Sequence, residues 1–222
     1  MKPIRQGIEN IIGIEGIPFE RAPGPGRLFA IEGPDRVGKS TIASHLATRL
    51  GIPYWRYDQG ARDETKTFID ALLRSDTCLR EPAIIQYAMA IAYRETQQRL
   101  VDTLQSGQDI VVDRWWLSPI VYGEAIGLPL DFLLQHNRWF VVPDCVLIVT
   151  RDFCLPGREE KRNRYDTEEF QGRIRQLYNI RYQWWRQRVT PVPIQMVKLG
   201  HQGPEQSDEW AWRAFRRLEQ QV

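Results

Sequence analysis

Short apolar runs alternate along this chain with longer stretches patterned at helical spacing. Leu28-Phe29-Ala30-Ile31 is an uninterrupted apolar run, as a strand buried on both faces requires. Residues 41–50 then predict a helix with Ile42, Leu46 and Leu50 on one face. Residues 52–57 predict a second strand, followed by the polar loop Asp58-Gln59-Gly60-Ala61-Arg62. Helices are expected over 65–74 and 82–106. On the second, Ile84, Tyr87, Ala88 and Ile91 repeat at helical spacing, and Arg94, Glu95, Gln97 and Gln98 turn the middle polar towards solvent. Gly107 closes it. Residues 109–114 form a third strand ending in an acid, and 115–123 continue as a loop or short helix. Pro143-Asp144 introduces a fourth strand over 145–150. Asp166-x-x-Glu169 reads as a capping box for a helix whose face is Phe170, Ile174, Leu177, Arg181, Trp184 and Trp185, with both tryptophans in the core. A fifth strand over 193–199 and a helix over 209–220 complete the pattern. Strands alternating with helices build a parallel sheet covered on both faces.

Between the first strand and its helix lies Gly33-Pro34-Asp35-Arg36-Val37-Gly38-Lys39-Ser40-Thr41, which fits G-x-x-x-x-G-K-[ST] at every fixed position. Glycines let the backbone fold tightly enough for successive N–H groups to point at phosphate oxygens. The helix start adds partial positive charge. Lys39 is placed to reach the β- and γ-phosphates of a nucleoside triphosphate, and the Ser40 hydroxyl to ligate Mg²⁺. Asp113, at the tip of the third strand, stands where a Mg²⁺-orienting carboxylate belongs, and Arg114 beside it can hold a phosphate. The loop after the second strand lies at a carboxyl end, where open α/β sheets bind ligands. The expected fold class is therefore α/β: a three-layer P-loop NTPase fold, five parallel strands with helices on both faces. Residues 151–165 are arginine-rich and opened by Pro156-Gly157, a segment fit to close over phosphates as a lid.

At 222 residues, with 42% hydrophobic and 26% charged positions, the chain suits one large domain. No apolar run reaches the roughly 18 residues of a membrane span, and the N-terminus lacks the apolar centre of a signal peptide. Cys78, Cys145 and Cys154 have no metal-ligand spacing and are odd in number, which fits a reduced, cytoplasmic setting. A net charge of +2 does not indicate nucleic acid, and leaves it open. Only five of the 30 basic residues are lysine; arginine forks suit bidentate phosphate contacts. Pro18, Pro23, Gly24, Pro25 and Gly26 break regular structure, so residues 1–27 read as an N-terminal extension and 28–222 as the P-loop domain.

Taken together, these motifs resemble the thymidylate kinase family over roughly residues 28–200. The stretch from Phe29 to Thr41 is similar to its F-x-x-E-G-x-D-x-x-G-K-[ST]-T loop. Asp113-Arg114-Trp115-Trp116-Leu117-Ser118, continuing to Tyr122-Gly123, is similar to D-R-Y-x-x-S-x-x-A-[YF]. Pro143-Asp144 also matches, and Arg164-Tyr165-Asp166 with Phe170-Gln171 resembles the lid end R-Y-E…F-Q. The resemblance implies ATP as phosphoryl donor, Mg²⁺ as cofactor and a deoxynucleoside monophosphate as acceptor. It implies donor contacts from the whole loop, residues Gly33, Pro34, Asp35, Arg36, Val37, Gly38, Lys39, Ser40 and Thr41. Catalysis falls to Lys39, Arg36, Asp113, Arg114 and the lid arginines Arg158, Arg162 and Arg164, and metal ligation to Ser40 and Asp113. Asp35 would contact the acceptor's 3′-hydroxyl and Arg114 its phosphate. Arg56, Tyr57, Arg94, Ser118, Tyr122 and Tyr165 would complete the acceptor pocket. A nucleotide is the implied partner, and a homodimer is allowed.

The resemblance breaks where the base is read. After the second strand only Arg56 and an aromatic persist, in Trp55-Arg56-Tyr57-Asp58-Gln59-Gly60. The family's F-x-x-x-R helix pair, which stacks on thymine and pairs with its carbonyl, has no clean equivalent near Tyr87, Met89 and Arg94, and Gly123 replaces the family's polar residue. Two alternatives stay open at this point: a kinase acting on a modified nucleotide, nucleoside or base hydroxyl in DNA, and a non-catalytic nucleotide-binding protein.

Overall fold

The computed structural model describes residues 11–14, 16–155, 165, 167–188 and 192–222. In chain order the elements are β1 (Ile11–Ile14), β2 (Ile17–Glu20), β3 (Leu28–Glu32), α1 (Lys39–Leu50), β4 (Tyr54–Arg56), α2 (Asp63–Arg74) and a one-turn α3 (Thr77–Arg80). They continue with α4 (Pro82–Gln105), β5 (Ile110–Asp113), α5 (Leu117–Ala125), α6 (Leu130–Asn137), β6 (Cys145–Arg151), α7 (Glu168–Arg188), β7 (Ile194–Leu199) and α8 (Pro204–Glu219). Five strands form a parallel sheet in the order β4-β5-β3-β6-β7. Successive side chains of a strand point to opposite faces, and both faces here are apolar. Leu28 and Ala30 of β3 enter a core with Ile110, Val112, Val146 and Ile148 under α4, α5 and α7, while Phe29 and Ile31 enter a second core under α1 and α8. Three layers result, as expected. The chain passes from β3 to one side of the sheet and later to the other, so a crevice opens beyond the carboxyl ends of β3, β5 and β6.

Two apolar patterns are arranged differently from the sequence expectation. On α4, Tyr87 and Ile91 remain 52% and 49% exposed, whereas Ile85, Ala88 and Ala92 pack against Ile69 and Leu72 of α2. Tyr93, Leu100 and Leu104 enter the main core. The helix is wrapped on several sides, so no single stripe describes it. Gln97, expected on a solvent face, is buried: its Nε2 donates to the Trp139 carbonyl at 2.9 Å and its Oε1 accepts from Val141 N at 2.8 Å. On α7 the fully buried side chains include Ile174, Tyr178 and Trp185, while Trp184 is half-buried. Thr167 caps that helix, accepting at Oγ1 from Phe170 N at 3.2 Å; Asp166 lies outside the described residues.

Hairpin β1–β2 was not foreseen, and the residues after it run as a strap across the main core. Phe19 is fully buried, edge-on to Trp116 at 4.8 Å. Val142 N donates to Glu20 O at 2.7 Å, and Arg27 grips Asp109 with Nε at 3.0 Å and Nη2 at 2.8 Å. The Pro-Gly run has a physical cause: a Cβ on Gly24 would lie 2.6 Å from the Gln105 Cα, and one on Gly26 2.6 Å from the Leu104 carbonyl oxygen. Among the described residues no helix is long and apolar enough to cross a membrane. Deleting a buried aromatic side chain leaves a cavity as well as losing burial, so Phe19→Ala is expected to cost about 3–5 kcal/mol in urea unfolding; a loss under about 1 kcal/mol would show that the strap is not part of the cooperative core.

Candidate active site

The phosphate loop closes against β6 so tightly that a Cβ on Gly33 would lie 2.0 Å from the Val149 carbonyl oxygen, and Gly33 has φ 139°. Gly38 adopts φ 94°, which turns the chain into α1 at Lys39, two residues before the start expected at Thr41. The first turn of α1 therefore aims its free N–H groups into the loop. Arg36 takes φ 58°, a left-handed conformation that a non-glycine residue adopts at a cost. Leu155 holds it there, donating its N–H to Arg36 O at 2.7 Å and accepting from Arg36 Nε at 2.7 Å. Arg151, at the end of β6, donates to Val37 O at 3.1 Å and to Ser207 Oγ at 2.9 Å, tying the loop to the start of α8.

Lys39 is buried and its Nζ donates to the Pro34 carbonyl. Burial, with Arg114 nearby, pulls its ammonium down to about 8, against the opposing pull of Asp35, Asp113 and Glu32. Ser40 Oγ donates to Asp113 Oδ2 at 2.5 Å, and the Tyr54 hydroxyl approaches the same oxygen at 3.3 Å. Burial and Asp113 push the Tyr54 phenol up to about 12, so it stays a donor. Asp113 Oδ1 is buried with no hydrogen-bond partner. An orphaned carboxylate oxygen beside a hydroxyl is an oxygen-only donor set of the sort a hard divalent cation prefers, so these residues fit Mg²⁺.

Next to the loop lies a cavity of about 470 Å³. Its inner end is a network around Arg114, itself at φ 63°. The guanidinium donates to Gly33 O at 3.1 Å, Ser118 Oγ at 3.1 Å and the Tyr122 hydroxyl oxygen at 3.0 Å, and pairs with Asp35. Tyr122 in turn donates to Asp35 Oδ2 at 2.7 Å. Burial alone would raise the Asp35 pKa, but Arg114, Lys39 and the Tyr122 hydroxyl hold it well below the usual carboxylate range. Glu32 fixes the turn that carries Arg114. Fully buried, its Oε1 accepts from Trp115 N at 3.0 Å, Leu117 N at 3.0 Å and Ser118 N at 3.2 Å, and its Oε2 from Ser118 Oγ and, at 3.2 Å, from Tyr178. Gln171 positions Asp35 from the other side, accepting at Oε1 from Asp35 N at 2.8 Å.

The structure brings most of the sequence-derived residues together. Asp35, Arg56, Tyr57, Arg114, Ser118, Tyr122 and Tyr165 line the cavity, and Asp35, Arg36, Gly38, Lys39, Ser40, Thr41 and Asp113 line the loop cleft. Arg56 sits at the rim, with its side chain 55% exposed and paired with Asp58 at 3.2 Å. Arg94 is a correction: it lines a separate groove between α4 and α6 and points at Trp139 O, because it lies one helical step past the cavity-facing Tyr93. Arg158, Arg162 and Arg164 lie outside the described residues. Sequence reasoning assigned no role to Glu32, Gln171 or Tyr178; Glu32 and Gln171 stand at fixed letters of the matched motifs, which was the available signal, whereas Tyr178 has none without the fold. It also missed Met89 and Tyr93, both on the cavity wall. Their four-residue separation was the available signal, since they stand at the spacing of the missing F-x-x-x-R pair.

Comparison with known proteins bears on the same span. A family model described as thymidylate kinase matches residues 31–189. A thymidylate kinase of Xanthomonas euvesicatoria is 30% identical over 167 residues, 72% of this chain and 74% of its own length. One from Leptospira borgpetersenii is 25% identical over 158 residues, covering 67% and 77%. In fold, a Candida albicans thymidylate kinase structure superposes with TM-score 0.72 at 24% identity over 89% of this chain and 94% of that one, and an Ehrlichia chaffeensis thymidylate kinase structure with TM-score 0.63 at 17% identity over 89% and 99%.

The depressed Lys39 ammonium gives a measurable sign. A bound polyphosphate stabilises its charged form and raises its pKa from about 8, so between that value and the ordinary 10.5 binding must take up a proton. Calorimetric titration with ATP at about pH 8.5, in buffers of different ionisation enthalpy, is expected to show this uptake and Lys39→Met to abolish it; equal uptake in both would place the titrating group elsewhere.

Proposed function

The chain belongs to the thymidylate kinase family and is an ATP-dependent nucleoside monophosphate kinase; we propose that its described residues divide the transfer of the γ-phosphoryl group to a deoxynucleoside monophosphate as follows. The observation that carries this division is a shared wall. Asp35, Arg56, Tyr57 and Arg114 line both the phosphate-loop cleft and the adjoining cavity, so a triphosphate tail in one and a monophosphate in the other would meet end to end. Lys39 and the loop amides grip the donor phosphates, and Arg36 lies at the mouth to neutralise the group in flight. Arg114 holds the acceptor phosphate, exchanging part of its contact with Asp35 for phosphate oxygens. Asp35 then accepts from the acceptor's 3′-hydroxyl, with Tyr165 against the sugar and Ser118 and Tyr122 keeping Arg114 in place. Ser40 and Asp113 would hold Mg²⁺, whose contribution is charge neutralisation across the donor phosphates. Arg158, Arg162 and Arg164 would add positive charge from the segment that follows Leu155. An acceptor that is already an anion needs no strong general base, so positioning and charge carry the rate.

Lys39→Ala is expected to lower kcat by roughly 10²-fold or more, read in a coupled assay of ADP formation with the common deoxynucleoside monophosphates. A rate near that of the unaltered protein would contradict this division. Absence of turnover with every monophosphate, in protein shown to be folded, would remove the function.

We also propose a homodimer through the α4–α6 face. Tyr87, Ile91 and Trp139 are 52%, 49% and 62% exposed there, and Tyr87 meets Phe132 and His136 edge-on at 6.2 and 5.0 Å. An apolar seam between two helices can pack on its own twofold copy. Light scattering is expected to give twice the chain mass, and Ile91→Arg to return a folded monomer; a monomeric unaltered protein at micromolar concentration would end this proposal.

A further inference from the structure

Gln86 is an anomaly in the cavity wall. Only 4% of the residue is accessible, and its Oε1 is buried with no hydrogen-bond partner. Buried carbonyl oxygens are nearly always satisfied, and one that is not requires an explanation. The backbone at this position is anchored separately, its carbonyl lying 3.2 Å from His136 Nε2, so the amide is free to serve something else.

Position along the helix says what. Gln86, Met89 and Tyr93 are spaced i, i+3 and i+7 and share the cavity-facing side of α4. Tyr93 is packed against Trp115 and Tyr57, at 5.2 and 5.3 Å, beside the sheet. Seven residues of helix carry Gln86 roughly 10 Å further out, away from the Arg114–Asp35 network that holds the phosphate and sugar. A nucleotide laid from that network along the wall puts its base against Met89 and its far edge at Gln86. The surroundings there are Leu73, Ile85 and Ile126. The polar groups at the inner end are committed to one another, and Arg56 is held at the rim by Asp58.

The geometry points to Gln86 as the residue that reads the acceptor base. This rests on the nucleotide-kinase reading above and adds to it the class of base edge recognised. A guanidinium offers only donors and selects a carbonyl; an amide offers an acceptor beside a donor. The unpartnered Oε1 takes an N–H from the far edge of the base, and the neighbouring NH₂ takes the adjacent acceptor. The ligand is a nucleoside monophosphate whose base presents an N–H next to a lone pair. All four common bases carry such an edge, as exocyclic amine and ring nitrogen in cytosine and adenine and as ring N–H and carbonyl in thymine and guanine; they differ in the side of the N–H on which the lone pair stands and in its distance from the sugar, so an amide fixed at Gln86 ranks them. A base that leaves the carbonyl unpaired is rejected because the site's own polar atom stays buried and unmet.

The test is equilibrium binding, by calorimetry, of thymidine, deoxycytidine, deoxyadenosine and deoxyguanosine monophosphates to the full chain, with ATP turnover measured separately. The unaltered protein should rank the four. Gln86→Leu should weaken the preferred base roughly 10- to 100-fold and compress the ranking. Gln86→Glu, similar in size, keeps the acceptor and loses the donor. It should raise the affinity of guanine, whose ring N–H and exocyclic amine both donate to one carboxylate, relative to the other three, each of which sets a lone pair against the second oxygen, and it stands in if the leucine variant does not fold. Equal binding of all four by the unaltered protein, or an unchanged ranking in the folded variants, overturns the proposal. Ranking that depends on Gln86 without any phosphoryl transfer would leave the base reader standing and remove the kinase reading; turnover with an unchanged ranking would do the reverse.

Discussion

A guanidinium buried at the junction of two ligand spaces constrains this molecule more than any other group. Arg114 cannot shed its proton, so its surroundings must match its charge and its donors. Burial opposes its charge, yet Asp35 and the surrounding hydroxyls hold the guanidinium firmly protonated. Every feature nearby serves that end. Glu32 collects three backbone amides so that the turn after β5 keeps the left-handed twist that Arg114 needs. Ser118 bridges Arg114 and Glu32, Tyr122 bridges Arg114 and Asp35, and Gln171 holds Asp35 from α7. The carboxylate of Asp35 is thus the counter-ion of Arg114, and on the proposed division of roles it turns to the acceptor sugar when the site is loaded.

Much of this was legible in the chain because it is written in local chemistry. A glycine-bounded loop between an apolar run and a helix leaves few alternatives to a phosphate cradle, and the acid ending β5 falls beside it because parallel strands place their ends together. What the chain concealed is of two kinds. Glu32, Gln171 and Tyr178 are polar residues whose value comes from partners 60 or more positions away on other elements, and spacing carries no trace of that. Helix α4 misled for a different reason. A stripe analysis assumes one buried side, whereas α4 packs on α2, on the aromatic core and along a cavity, leaving Tyr87 and Ile91 outward and Arg94 away from the acceptor. A helix used on several sides has no readable moment, so Arg94 stands in the expected acceptor set where the cavity wall has Tyr93.

The same helix explains why the phosphate machinery and the base-reading wall depart so differently from the family pattern. Phosphate recognition uses backbone amides, one ammonium and glycine geometry, and any change there destroys the cradle; a Cβ at Gly33 alone would collide with Val149. The proposed base readers Met89, Tyr93 and Gln86 are side chains on one face of a helix that is otherwise secured by its other contacts, so they can differ from the family's pair without disturbing the fold.

The N-terminal strap carries a consequence for how the protein is made. Its partners arrive late: Arg27 meets Asp109 82 positions downstream, and Phe19 and Glu20 meet Trp116 and Val142 further on still. On the ribosome the strap emerges before the segments it covers and must keep its apolar residues from straying until those segments have been synthesised. A segment translated ahead of its partners is therefore among the later ones to dock, closing over a core whose other parts are already in place.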